Sequence, residues 1–109
     1  MSPFDRHRDR RSDGIRVPAH CPASIVSLVT GQSFEAMCFN ISVKGMALAT
    51  TFIPQNNEQL EVTVHTPDLA GRRSPPLKAR VEVQRCIELQ SERGRIYELG
   101  VNIIEILPY

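Results

Sequence analysis

The chain has 109 residues, a length that carries one hydrophobic core and no second one. Hydrophobic residues make up 41% of it, Trp is absent, and four Phe and two Tyr are the only aromatics, which argues against a nucleic-acid platform built on stacked rings. The net charge is +1, no apolar stretch approaches the ~20 residues that span a bilayer, and the charged start from Met1 to Arg16 lacks the apolar middle of a signal peptide. A cytoplasmic location and no membrane insertion are therefore expected.

Residues 1–18 hold few apolar side chains and no period, and read as a flexible N-terminal arm ahead of a domain at 19–109. The arm concentrates positive charge. Arg6, Arg8, Arg10, Arg11 and Arg16 face only Asp5, Asp9 and Asp13, which leaves eight basic and nine acidic side chains in the rest. The arm's basic residues are all arginines and none is lysine, and guanidinium groups make forked hydrogen bonds to phosphates and guanine edges that lysine does not.

From Ala19 onward the pattern is sheet. "ASIVSLVT" (23–30) is β-branched and apolar, Gly31-Gln32 is a turn, and "SFEAMCFNI" (33–41) alternates, with Phe34, Ala36, Cys38 and Asn40 tending to one face. After a bend at Gly45, "MALATTFI" (46–53) runs to Pro54, and "PQNNE" is loop by composition. "QLEVTVHT" (59–66) sets Leu60, Val62 and Val64 against Glu61, Thr63 and His65. "PDLAGRRSPP" (67–76) is an exposed loop, since its prolines and paired arginines do not fit a sheet centre. "LKARVEVQRCIEL" (77–89) alternates and then shifts phase near Arg85-Cys86, as a bulge would make it. "SERG" is a hairpin turn, and "RIYELGVNIIEI" (95–106) sets Tyr97, Leu99, Val101 and Ile103 against Ile96, Glu98, Gly100 and Asn102. Six strands with short turns and no amphipathic helix predict an all-β fold, a six-stranded antiparallel barrel that closes to hide its edges.

Catalysis is not expected. Three cysteines at wide spacing form no disulfide framework, and no CxxC or HxxxH pair offers a metal site; Cys38 and Cys86 read as partly buried reduced thiols. His7, His20 and His65 do not converge with a nucleophile, and no GxSxG elbow, phosphate loop or GxGxxG turn is present. No catalytic residue, metal or cofactor is assigned.

Two features remain: the arginine cluster "RHRDRRSDGIRVP" (6–18) and the bend Asn40-Ile41-Ser42-Val43-Lys44-Gly45. Each has a plain reading, a solvated tail and a turn in which Gly45 supplies a positive φ. Together they resemble the PilZ domain, the bacterial receptor domain for the second messenger cyclic di-GMP. The likeness runs over about residues 6–106: an RxxxR-type lead-in, "RVPAHCPASIV" entering the first strand, "NISVKGMAL" matching [DN]-x-S-x-x-G, and "YELGVNIIEI" like the family's last strand.

The resemblance implies a cyclic di-GMP receptor that relays the signal to a protein partner as a single-domain adaptor. Arg10, Arg11 and Arg16 would wrap over the ligand, Asn40 and Ser42 would meet it from the barrel, and Gly45 would keep a side chain out of its way. Lys44 reads as a solvated turn residue or an added charge near a phosphate. The arginine spacing departs from the family's: Arg11 and Arg16 have four residues between them rather than three, and the well-spaced Arg6 and Arg10 lie further from the bend. Two other readings stay open: a degenerate PilZ-like interaction module that ignores the nucleotide, and an OB-like barrel that binds DNA or RNA. The acidic balance outside the arm weighs against the latter, so no nucleic-acid partner is expected.

Overall fold

The structure, a computed structural model, describes residues 17–65, 75–92 and 94–108. It is a closed antiparallel barrel of six strands: β1 (Val17–Ser27), β2 (Ser33–Ile41), β3 (Gly45–Thr50), β4 (Gln59–Val64), β5 (Leu77–Leu89) and β6 (Ile96–Leu107). Around the barrel the order is β1-β2-β3-β6-β5-β4, and β4 pairs back onto β1 through Ala23↔Val64 to Ser27↔Leu60. The all-β barrel expected from the alternation is therefore the fold. The expected arm lies outside the described residues except for its last two, which open β1.

The core follows from period-2 patterning. Ile25, Leu48, Leu60, Val62, Val81 and Leu99 point inward from five strands and are fully buried. Pro18 and Pro22 stand in β1 ahead of the Ala23–Ser27 stretch that pairs with β4, where a missing N–H leaves no gap in that ladder.

Three strand ends differ from the sequence reading, each for a local polar reason. β1 stops at Ser27, because the buried Ser27 hydroxyl accepts hydrogen bonds from the Val29 and Thr30 amides and turns the chain; Leu28 and Val29 are left exposed. β3 stops at Thr50, whose hydroxyl donates to the Glu35 carbonyl and accepts from the Phe52 amide. β4 stops at Val64, and the His65 amide donates to the Pro22 carbonyl at 2.8 Å. Cys86, expected to be partly buried, is exposed. β5 slips register between Val83 and Arg85, and residues 84–88 beyond that point all face solvent.

The connection from β3 to β4 joins strands that are not neighbours, so residues 51–58 cross one end of the barrel. Phe52 stacks on Phe34 with ring centroids 4.3 Å apart. Glu58 accepts from the Ser27 hydroxyl at 2.7 Å and from the Gln55 amide at 2.8 Å, and Glu58 and Val83 join through a backbone hydrogen bond. That end is plugged. The other end carries the bend between β2 and β3.

Candidate functional site

The bend is built by Ser42. Its amide donates to the Gly45 carbonyl at 2.8 Å, and its hydroxyl accepts from the Lys44 and Gly45 amides, each at 3.3 Å. The same hydroxyl donates to the Gly45 carbonyl at 3.4 Å, so its two acceptor positions and its proton are all engaged within the turn. Ser42 is buried while Val43 and Lys44 at the tip are exposed. The bend is tied down from outside as well: the Ile103 amide donates to the Lys44 carbonyl at 2.8 Å.

Gly45 does not supply a positive φ, in contrast to Gly31 (φ 79°) and Gly94 (φ 111°). Its role is close approach. A Cβ at position 45 would run into the carbonyl oxygen of Val101 on β6 and sit 3.4 Å from the carbonyl carbon. Glycine is what lets β3 begin against β6 at the Gly45↔Asn102 pair.

Asn40 takes its orientation from a bulge. The β2–β3 register slips between Cys38 and Asn40, so Cys38 opposes Leu48 while Asn40 opposes Ala47. Strict alternation would have kept Asn40 on the inward face of Cys38; the extra residue puts it with Ala47 instead, on the outward face. It is half-buried there.

Next to the bend lies a shallow depression of about 150 Å³, lined by Ser42, Lys44, Gly45, Met46 and Ala47 from the hairpin, Gln84 and Arg85 from β5, and Gly100, Val101 and Asn102 from β6. Its floor is made of small residues and backbone, and its rim carries two cations, Lys44 and Arg85. Arg85 reaches Glu98 at 3.6 Å and keeps 57% of its side chain exposed. A depression of that size suits one polar group of a larger ligand lying across the surface.

Of the six residues singled out in the sequence, the structure brings Ser42 and Gly45 into the wall of the depression and sets Asn40 on the adjoining outward face. Arg10, Arg11 and Arg16 lie outside the described residues. The chain nevertheless enters the barrel beside the bend, because Val17 pairs with Ile41, the residue before Ser42. Sequence reasoning did not pick Gln84, Arg85, Gly100 or Asn102. Two signals were present: the phase shift near Arg85, and a glycine inside a strand, which marks a close approach.

Among the described residues no group of three or more His, Cys, Asp or Glu side chains is placed to hold a metal, and no helix is long and apolar enough to cross a membrane.

The sequence matches the family model of the PilZ domain over residues 5–108. No curated protein matches it. The fold is similar to that of the Bacillus subtilis inhibitor of motility MotI/DgrA (TM-score 0.64, 17% identity, 84% of this chain and 41% of that one). It is equally similar to the PilZ domain of Escherichia coli YcgR with c-di-GMP (TM-score 0.64, 10% identity, 83% and 75%). A third similar structure is Borreliella burgdorferi PlzA in complex with c-di-GMP (TM-score 0.62, 9% identity, 93% and 49%). The chain thus spans less than half the length of MotI/DgrA and of PlzA.

Proposed function

The chain belongs to the PilZ domain family, and from that premise we propose that it is a cyclic di-GMP receptor whose ligand lies across the depression beside the Ser42–Gly45 bend. The observation that supports the reading is the pairing of Val17 with Ile41, which starts β1 beside the bend whose Ser42 and Gly45 line that depression. Arg16 directly precedes Val17 in the sequence. Arg16 and Arg11, with Arg10 beside them, would close over the ligand and fork onto phosphate oxygens or guanine O6/N7. Arg6 with Arg10 is the other register. Ser42 and Gly45 fix the bend and its open floor, and Asn40 offers its amide from the neighbouring face. The domain's role is binding rather than catalysis, and the bound state is read by a protein partner that recognises the closed lead-in.

Hydrogen bonds to charged groups contribute roughly 1.5–3 kcal/mol each. Two or three of them sum to roughly 3–9 kcal/mol before the cost of ordering the lead-in, and micromolar affinity takes ~8 kcal/mol, so contacts from the barrel are needed beside the arginines. Calorimetric titration with cyclic di-GMP tests this. Binding in that range is expected, with Arg16→Ala weakening it about tenfold or more. Ser42→Ala should weaken it too, by loosening the bend. Absence of heat and of chemical-shift change at high micromolar ligand would reject the receptor reading and leave an interaction module that ignores the nucleotide.

A further inference from the structure

We infer that Arg85 of β5 is the barrel's own phosphate-binding arginine, held ready across Gly100 and taken over from Glu98 when ligand arrives. This rests on the cyclic di-GMP reading of the same depression and adds to it a contact from outside both sequence motifs.

Three observations place Arg85 there. First, β5 carries one residue more than β6 between Val83↔Val101 and Arg85↔Gly100, so Gln84 is the extra residue of a bulge and both Gln84 and Arg85 line the depression. Bulges re-aim side chains beside binding sites. Second, the Arg85 side chain lies against β6 where Gly100 has none: a Cβ there would come within 3.0 Å of Arg85 Cγ and Cζ and 3.1 Å of Nε. A glycine inside a strand weakens the strand, and here its place is filled by a guanidinium. Third, among the described residues Arg85 forms an ion pair with Glu98 alone, at 3.6 Å, and more than half of the Arg85 side chain remains exposed. A surface pair of that length adds little stability, so an incoming dianion can redirect the guanidinium at small cost. Lys44 on the opposite rim makes the depression doubly cationic. That favours a phosphate over a neutral guanine edge.

The test is calorimetry with cyclic di-GMP on the full chain and on Arg85→Ala, Arg85→Lys, Gly100→Ala and the double variant Arg85→Ala/Gly100→Ala, each first shown folded by circular dichroism. Arg85→Ala is expected to weaken binding by roughly tenfold or more, and Arg85→Lys by less, since the charge stays while the fork is lost. Gly100→Ala should weaken binding by lifting the guanidinium off β6, and the double variant should be no weaker than Arg85→Ala alone. Removing a phosphate contact also removes its screening, so Arg85→Ala should bind with a flatter salt dependence than the native chain. If the native chain binds and Arg85→Ala binds as well, the inference falls and the receptor reading stands. Losses that simply add in the double variant would overturn the part given to Gly100. A native chain that does not bind overturns the receptor reading, and the inference with it. Should Gly100→Ala not fold, the two Arg85 variants and the salt series decide the matter.

Discussion

Cys38 shows how one side chain reports on the packing around the bend. Its thiol has no exposed surface, stands opposite Cys21 across the β1–β2 ladder, and donates to the Asn40 carbonyl at 3.5 Å. Burial, and then the neighbouring Cys21, push the thiol up to about 11 from 9.0. A raised thiol keeps its proton in the folded chain while the unfolded chain loses it. The folded state therefore binds more protons from about pH 9 to about pH 11, and stability falls as pH rises through that window. The size of the fall is roughly 2–3 kcal/mol. Denaturant melts across that range should show a steeper alkaline loss for the native chain than for Cys38→Ala, each measured from its own neutral baseline. Equal slopes would mean that the thiol is not held in a desolvated site.

At the scale of the element, the β2–β3 hairpin is where reading and structure can be compared closely. The bounds of β2 and β5 were legible, because alternation of apolar and polar side chains encodes a half-buried strand directly. The bulge in β5 was legible too, as a break in phase. The bulge in β2 was not: Phe39 and Ile41 are apolar on either side of Asn40, so the slip leaves no mark in polarity. The ends of β1 and β3 were overrun because the stop signals are the Ser27 and Thr50 hydroxyls acting on backbone groups, while the residues beyond them remain apolar. For Gly45 the structure adds a packing reason that the motif does not contain. Its lack of a side chain serves contact with the Val101 carbonyl before it serves any ligand. Gly45→Ala is thus expected to push β3 off β6 and to destabilise the chain by about 1–3 kcal/mol, as overpacking does. At roughly 4–8 °C per kcal/mol for a domain of this size, the thermal midpoint should drop visibly without any ligand present. A midpoint equal to the native one would return Gly45 to a purely ligand-facing role.

For the whole molecule, closure decides how a binding event can be felt. Among the described residues every strand has two neighbours in the closed order, and one-sided pairing is confined to strand ends such as residues 84–89 of β5 and 103–107 of β6. The end opposite the bend is plugged by residues 51–58 through Phe52 and Glu58. On the proposed receptor reading, a ligand at the bend would meet a preformed wall, and its signal would pass through the residues ahead of Val17 rather than through a reshaped barrel. Amide spectra during titration with cyclic di-GMP distinguish these routes. Shifts are expected at residues 42–47, 84–85 and 98–103 and in the lead-in. The β4 amides and their β1 partners from Ala23 to Ser27 should stay in place, since they pair on the part of the barrel away from the depression. Broad shifts through β4 would show that the barrel itself changes packing when ligand binds, and a partner would then have the barrel's far face to read.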